Sequence, residues 1–211
     1  MQKIKNSLLV DVANYYAAKL GIHGASPQGV DWNGEAGQVL RFEQLFKLLP
    51  NNCRFSLNDL GCGYGALHDF LTAKSLSFSY LGIDVSDNMI DVAKKRFQHE
   101  NQARFIVSSE PDQIADYSIA SGIFNVCMRY AKDDWQFYIE TVLDVMNINS
   151  RYGFAFNCLT SYSDKNKMRD DLYYADPCLF FDLCKRKYSS NVALIHDYGL
   201  YEFTILVRKS L

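Results

Sequence analysis

Three glycines and two carboxylates carry the clearest chemical signal in the sequence. Asp59 precedes Gly61, Gly63 and Gly65, and Asp84 ends the next apolar run. Glycines lack a Cβ, so they allow a tight turn and the close approach of a ligand to the backbone. A carboxylate at the end of the next strand can accept hydrogen bonds from both hydroxyls of a ribose. The pattern predicts a nucleoside-containing cofactor bound where a strand turns into a helix.

The same spacing admits a second cofactor, because Gly61-x-Gly63-x-x-Ala66 also satisfies the fingerprint of proteins that bind nicotinamide dinucleotides. Three features favour a different cofactor. Asp59 stands just inside the strand, where dinucleotide-binding folds usually keep an apolar residue; two predicted helices precede that strand; and a predicted hairpin ends the chain. A purely structural interpretation, a tight turn followed by an acid that caps a helix, is the third alternative.

Alternating strands and helices surround these residues. The apolar patterns predict strands at 55–60, 78–84, 103–107, 118–126 and 153–159, and helices at 64–74, 86–97 and 134–146. Asp176-Pro177 predicts another helix start, since Asp caps a helix and Pro fits its first position. Two further strand-like runs, 192–196 and 201–208, are joined by a short turn and predict an antiparallel hairpin. Strand–helix alternation predicts a mostly parallel α/β sheet with helices on both faces.

An N-terminal helical extension precedes this pattern. Apolar residues at helical spacing predict a first helix that ends at Gly21. A second helix is predicted from about 34 to 49, with Asn33 as its N-cap. We expect a single domain over the whole chain, 1–211, in which residues 1–50 form a helical lid and residues 51–211 the core.

Composition and charge argue against several functional classes. The 211-residue chain is 48% hydrophobic and 22% charged, with a formal net charge of −2, which disfavours nucleic acid and anionic membranes as partners. Its apolar runs are shorter than the ~18 residues that span a bilayer, and its first run is too short for a signal peptide. The six cysteines and four histidines are scattered without metal-ligand spacing. We expect a cytoplasmic protein without a metal; its oligomeric state stays open.

The two motifs together resemble those of the Rossmann-like, class I methyltransferases, which use S-adenosyl-L-methionine. The segment 58–66 is similar to their first motif, and 80–86 is similar to the next, with Asp84 as the ribose acid. The resemblance covers the chain from about Phe55 onward. It implies a three-layer sandwich around a seven-stranded, mostly parallel sheet with an antiparallel C-terminal strand. The segment 29–43 resembles the lid region of small bacterial methyltransferases of unassigned substrate.

The resemblance also implies roles for individual residues in cofactor binding. Gly61 and Gly63 would line the methionine part of the cofactor, and Asp59 would help to orient it. Val85 follows the ribose acid, and Met89 would pack near the adenine.

The third and fourth family motifs match less well. The acid that usually follows the third strand is missing, so Ser109 or Glu110 would take its place near the adenine. The segment 121–126, which contains Phe124 and Asn125, would lie at the end of the fourth strand, where substrate and cofactor meet. It lacks the Asn/Asp-Pro-Pro-Tyr signature of enzymes that methylate amines of nucleobases or glutamine.

Side chains of the N-terminal extension could complete the cofactor site. Arg41 could pair with the cofactor's carboxylate. Tyr15, Tyr16 or Trp32 could cover the sulfonium, since aromatic rings attract cations. The alternative is that the two tyrosines belong to the helix core and Arg41 is a surface charge.

The C-terminal half offers polar groups for a substrate. His196 could act as a general base if the acceptor is a hydroxyl, with Asn125 and Tyr198 as further catalytic candidates. A lone histidine at a strand end is more often structural, and this is the alternative for His196.

The sequence therefore predicts a methyltransferase that moves a methyl group from S-adenosyl-L-methionine to oxygen or nitrogen of a small-molecule acceptor. In such an in-line displacement the protein mainly aligns the nucleophile, the methyl carbon and the sulfur. Two alternatives stay open: a non-catalytic cofactor-binding or scaffold protein on the same fold, and a nicotinamide-dependent oxidoreductase.

Overall fold

The computed structural model describes the backbone of residues 2–209 and the side chains of residues 7–209. The α-helices lie at Gln2–His23 (α1), Glu35–Phe46 (α2), Ala66–Ala73 (α3), Asp87–Arg96 (α4), Lys132–Ile148 (α5) and Pro177–Lys187 (α6). The strands lie at Phe55–Leu60 (β1), Phe78–Asp84 (β2), Ala103–Val107 (β3), Ala115–Ala120 (β4), Ser150–Leu159 (β5), Asn191–Ile195 (β6) and Glu202–Arg208 (β7). Short 3-10 helices occupy Pro27–Val30 and Lys165–Lys167.

The strands form one sheet in the order β3-β2-β1-β4-β5-β7-β6. Strands β1 to β5 run parallel, and β7 inserts antiparallel between β5 and β6. The predicted fold class, a Rossmann-like sheet with an antiparallel C-terminal strand, is confirmed. Leu60 pairs in register with Ile83, so the ends of β1 and β2 meet at one edge of the sheet. Gly61 and Asp84 therefore come together there.

Helices cover both faces of the sheet. Helices α2, α3 and α4 pack on one face around Leu57, and α5 and α6 pack on the other around Phe154. The connection 108–114 between β3 and β4 contains no helix. Helix α1 covers this part of the second face instead, because Leu8 packs in the same buried cluster as Leu81 and Ile83 of β2.

Several predicted boundaries were wrong. Helix α1 continues past Gly21 to His23, because the left-handed residue that ends it is Gly24, whose N–H donates to the carbonyl of Leu20 at 2.8 Å. The N-cap of α2 is Gly34 rather than Asn33. Helix α2 itself ends at Phe46, one turn before Pro50.

The fourth strand differs most from its prediction. It ends at Ala120 instead of 126, since Gly122 adopts a positive φ of 77° and turns the chain. The apolar run after Gly122 is buried in this turn, which explains why it has the pattern of a strand.

Within the described part of the chain, no helix is long and apolar enough to cross a membrane.

Candidate functional site

A cavity opens at the carboxyl edge of β1, β2 and β4. It encloses about 1100 Å³, counting the space open to solvent. Its floor is the glycine loop and the strand ends, and α1, α2 and α5 form its sides. The lining side chains are mostly apolar or aromatic, with polar groups at the strand ends: Asp59, Asp84, Ser108, Ser109, Glu110 and Ser121. Ligand sites in α/β folds form in this position, beyond the carboxyl ends of the strands.

The glycine loop requires glycine for steric reasons. Gly61 and Gly63 have φ angles of 71° and 53°, in the left-handed region that other residues avoid. A Cβ on Gly61 would lie 2.0 Å from Cγ2 of Ile123. The N–H of Gly61 donates to the carbonyl of Ile83 at 2.7 Å. The loop is therefore fixed against β2, with its bare backbone towards the cavity.

Asp84 joins the glycine loop to the start of α4. Its Oδ2 accepts the N–H of Gly63 at 2.9 Å, and its Oδ1 accepts the N–H of Ser86 at 2.9 Å. Burial raises the pKa of this carboxyl, although the backbone hydrogen bonds oppose the shift. Each oxygen keeps a lone pair for another donor, and Asp84 lines the cavity. A half-buried carboxylate held rigidly in this way fits the two hydroxyls of a ribose.

Asp59 is the second carboxylate of the cavity, and it is almost fully buried. The hydroxyl of Tyr80 donates a hydrogen bond to it. Burial, together with the charge of Asp84, raises the pKa of Asp59 to about 7, and the bond from Tyr80 counteracts part of this shift. Because burial disfavours its charged form, a cationic group of a ligand would stabilise this carboxylate. Asp59 thus fits the ammonium group of the cofactor implied by the sequence.

Other predicted cofactor residues also line the cavity, namely Val85, Met89, Ser109 and Trp32. Met89 is buried in the first turn of α4. Trp32 covers Gly122 so closely that a Cβ there would lie 2.3 Å from Cζ2 of the indole. The hydroxyl of Ser121, at the end of β4, is buried without a hydrogen-bond partner among the described residues. A ligand in the cavity could satisfy it.

Arg41 and Tyr15 lie behind the residues that line the cavity. Arg41 forms a bidentate pair with Glu202 of β7, with Nε–Oε2 and Nη2–Oε1 distances of 2.8 and 2.7 Å. The Arg41 side chain is 12% exposed and that of Glu202 0%, so Arg41 is not the surface charge considered as an alternative. The guanidinium also stacks on Trp32, 3.9 Å from the ring centroid. The hydroxyl of Tyr15 donates to Asp31 at 2.8 Å.

The remaining predicted residues hold parts of the fold together outside the lining of the cavity. Phe124 is fully buried, and its carbonyl accepts Nε1–H of Trp135 at 2.8 Å. Asn125 Oδ1 accepts the N–H of Leu159 at 3.0 Å.

The C-terminal hairpin holds the other two candidates. The hydroxyl of Tyr198 lies 3.1 Å from that of Thr204. His196 is exposed in the turn between β6 and β7. The catalytic roles of Asn125, His196 and Tyr198 stay predictions.

Sequence reasoning missed most of one side of the cavity, which we call the α1–α5 wall; of its residues, Tyr16 alone was a predicted cofactor residue, and it does line the cavity. The wall consists of Leu9, Val12 and Tyr16 from α1 and Tyr138, Thr141, Val142 and Val145 from α5. The four residues of α5 follow the spacing of one helix face. An ordinary core face has the same spacing, so the sequence carried no signal that this face borders a cavity. Burial raises the pKa of Tyr138, so its hydroxyl is a neutral hydrogen-bond donor.

Comparison with known proteins identifies relatives of this chain. Residues 58–147 match a family model described as a methyltransferase domain. The chain is also 62% identical over 156 residues to a Mycobacterium tuberculosis protein named as a methyltransferase, Rv1506c. That alignment covers 74% of this chain and 94% of the mycobacterial protein.

Solved structures share the fold at low sequence identity. The N-methyltransferase NodS from Bradyrhizobium japonicum, in complex with S-adenosylhomocysteine, superposes with a TM-score of 0.66 at 14% identity, covering 93% of this chain and 97% of NodS. Magnesium protoporphyrin IX methyltransferase from Synechocystis, also with S-adenosylhomocysteine bound, gives a TM-score of 0.64 at 13% identity, covering 83% and 84% of the two chains.

Proposed function

The chain belongs to the class I, S-adenosylmethionine-dependent methyltransferases, and from this premise we propose that it methylates an oxygen or nitrogen atom of a small-molecule acceptor. Family membership decides against the nicotinamide-dependent oxidoreductase and the non-catalytic binding protein. The cofactor supplies a methyl group that is already activated on its sulfonium. The chain's own residues must bind the two reactants, align them and keep water out.

The residues of the cavity suit each part of the cofactor. Asp84 would accept hydrogen bonds from the ribose hydroxyls. Gly61 and Gly63 would let the methionine part approach the backbone, and Asp59 would receive its ammonium group. Met89, with Ser109, would border the adenine. These assignments rest on buried Asp59, on half-buried Asp84 and on the cavity that the glycine loop lines.

The character of the cavity is the observation that carries the acceptor class. Its sides are apolar and aromatic, from Trp32 across to Val142. Asp59 and Asp84 would be occupied by the cofactor, and the remaining charged residue among those that line the cavity is another carboxylate, Glu110. Such a lining repels anions and desolvates apolar surface. It favours an acceptor that is neutral or cationic and largely apolar. Of the two structural neighbours described above, one is named as an N-methyltransferase and the other as a magnesium protoporphyrin IX methyltransferase. The second name, in which the acceptor is a porphyrin, supports a small acceptor.

Binding of S-adenosylhomocysteine to wild type and to Asp84→Ala, measured by calorimetry, tests the cofactor site. We expect Asp84→Ala to lose about 1.5–3 kcal/mol of binding free energy, because a charged hydrogen-bond acceptor is removed. Asp87→Ala is the matched control, since Asp87 is exposed in the first turn of α4. Equal losses in both variants would contradict the assignment of Asp84.

Methyl-labelled S-adenosylmethionine tests the acceptor class. The protein is incubated with the labelled cofactor and, in parallel, with apolar amines and phenols, with carboxylic acids, with total RNA and with a protein extract. We expect label in the amines or phenols. Transfer to RNA or protein alone would overturn the small-molecule proposal while leaving the cofactor site intact.

We also propose a cytoplasmic location, where free thiols such as the buried Cys62 and Cys158 stay reduced.

A further inference from the structure

The residues that follow β4 place a buried hydroxyl beside a flat aromatic surface. Ser121 lines the cavity, and its Oγ is buried without a hydrogen-bond partner among the described residues. The next residue, Gly122, lies so close to the indole of Trp32 that a Cβ on it would be 2.3 Å from Cζ2. Trp32 lines the cavity as well. We call Ser121, Gly122 and Trp32 the β4 corner; its hydroxyl can donate one hydrogen bond to a ligand and accept another.

The β4 corner lies away from the part of the cavity that suits the nucleoside. In the sheet, β1 separates β4 from β2, and Asp84, which fits the ribose, is the last residue of β2. Trp32 is tied to the other half of the sheet, because the guanidinium of Arg41 stacks on it and pairs with Glu202 of β7. A cofactor bound as proposed above therefore leaves the β4 corner to the acceptor.

Arg41 limits what the indole of Trp32 can bind. The guanidinium carbon lies 3.9 Å from the ring centroid, so a cation of the protein already covers one face of the ring. Aromatic rings attract cations through their faces, and here a side chain already engages that attraction. A second aromatic ring packs on an indole without needing a charge. The surface that the guanidinium leaves free therefore suits a flat, uncharged ring better than a second cation.

The rest of the lining agrees with an uncharged aromatic ligand. Three further aromatic side chains border the cavity, Tyr16, Phe42 and Tyr138. Burial raises the pKa of Tyr16 and of Tyr138, so both phenols are neutral. Glu110 also lines the cavity and disfavours an anionic acceptor. A flat apolar ring would be desolvated on entering such a cavity, which favours binding.

We propose that the acceptor is a neutral aromatic compound whose ring stacks on Trp32 and whose hydroxyl or amino group forms a hydrogen bond with Ser121. The inference rests on the proposed function and narrows its acceptor class to phenols and aromatic amines. Trp32 fixes the plane of the ring, and Ser121 orients the oxygen or nitrogen atom that receives the methyl group. Trp32 then serves the acceptor rather than the sulfonium of the cofactor.

The indole N–H signals of the protein make this stacking visible by NMR. The chain contains two tryptophans, and Trp135 is the internal control, because it is fully buried and its Nε1–H donates to the carbonyl of Phe124. Protein labelled with ¹⁵N and saturated with S-adenosylhomocysteine is titrated with three probes. These are 4-ethylphenol, 4-ethylcyclohexanol, which carries its hydroxyl on a puckered ring, and ethylbenzene, which lacks the hydroxyl.

We expect 4-ethylphenol to shift the indole signal of Trp32 and to leave that of Trp135 in place. Its dissociation constant should be about 2–10-fold lower than that of 4-ethylcyclohexanol, the preference that a stacked pair of rings provides. Trp32→Leu should remove this preference and Trp32→Phe should keep it, both followed at the amide signal of Gly122. Ser121→Ala should weaken 4-ethylphenol by about 5-fold, as for one hydrogen bond, and leave ethylbenzene unchanged.

Three results would overturn the inference: equal dissociation constants for 4-ethylphenol and 4-ethylcyclohexanol, no binding of either probe, or an unchanged affinity for 4-ethylphenol in Ser121→Ala. If Trp32→Leu does not fold, the wild-type comparison and Ser121→Ala decide. In the labelling experiment above, transfer to aliphatic amines but not to phenols or aromatic amines would disprove this inference and leave the proposed function standing. Failure of wild type to bind S-adenosylhomocysteine would instead disprove the cofactor site, so the failures are distinguishable.

Discussion

Two regions at the carboxyl edge of the sheet bury carboxylates in opposite ways. At the ends of β1 and β2, Asp59 and Asp84 face the cavity and are held by Tyr80 and by backbone N–H groups. At the start of β7, Glu202 is fully buried and receives a bidentate pair from Arg41. Burial raises the pKa of both cavity carboxylates.

This difference separates binding from stability. A buried carboxylate without a cationic partner is an unfavourable charge that a suitable ligand can compensate, so the first region gains from ligand binding. A carboxylate that is already paired gains nothing from a ligand and contributes to the cohesion of the fold. Substitutions in the two regions should therefore affect different measurements.

The largest effect is expected from breaking the pair behind the cavity. Arg41→Ala leaves the charge of Glu202 buried and unpaired, so it should lower the free energy of unfolding by about 3–5 kcal/mol. Urea denaturation followed by circular dichroism measures this change. Arg104→Ala is the matched control, because Arg104 makes the same bidentate contact with Asp112 on the surface, where about half of each side chain is exposed. The control should lose at most about 1 kcal/mol; similar losses in both would remove the contrast between the regions.

A smaller effect of opposite sign is expected at Asp59. Its pKa is about 7 in the folded protein and near 3.8 as a free side chain. Between pH 3.8 and pH 7 the folded state therefore binds a proton that the unfolded state has released. The stabilising contribution of the protonated form is complete below pH 4 and is lost as the pH rises through 7. Asp59→Asn removes this dependence. As the pH rises from 5 to 8, the free energy of unfolding of this variant should increase relative to that of wild type by on the order of 2–3 kcal/mol, since one pKa unit corresponds to about 1.4 kcal/mol.

Denaturation curves at pH 5 and pH 8 measure the gain in stability, and the affinity for S-adenosylhomocysteine at pH 8 provides the second readout. Asp59→Asn should bind the ligand more weakly although it is more stable, because the neutral amide cannot form an ion pair with the ligand's ammonium group. A variant that is less stable at pH 8 would show that the charge of Asp59 is compensated within the protein, and would place Asp59 with Glu202.

The same two regions differ in how far the sequence predicted them. Gly61, Gly63 and Asp84 were placed correctly at one edge of the sheet because short local patterns mark strand ends, and neighbouring parallel strands end together. Arg41 meets a partner 161 residues away, and no spacing in the sequence encodes that contact. The predicted end of β4 was wrong because an apolar run continues beyond Gly122, and only the backbone geometry shows the turn.

The fold class was predictable, since strand–helix alternation indicates a mostly parallel sheet and the family resemblance implies that the last strand inserts antiparallel; the strand order is known only from the structure. Apart from Tyr16, the α1–α5 wall was not predictable. Val142 and Val145 follow the ordinary pattern of a buried helix face, and the cavity beside them depends on where α1 packs. Helix α1 packs on the part of the sheet where the connection between β3 and β4 contains no helix, and periodicity does not encode such a long-range contact.

The smallest effect is expected at His196, where the sequence suggested a general base. His196 is exposed in the hairpin turn beside β7, with its ring 6.2 Å from that of Phe203. His196→Ala should change the free energy of unfolding by no more than about 0.5 kcal/mol, as expected for an exposed position, and should leave the affinity for S-adenosylhomocysteine unchanged. Tyr198→Phe is the companion variant, because it removes a half-buried hydroxyl 3.1 Å from that of Thr204 and should cost about 1 kcal/mol of stability. Once an acceptor is known, methyl transfer by His196→Ala at the wild-type rate would assign the hairpin to the structural region, whereas a loss of transfer with stability intact would extend the functional site across β5 to the edge of the sheet.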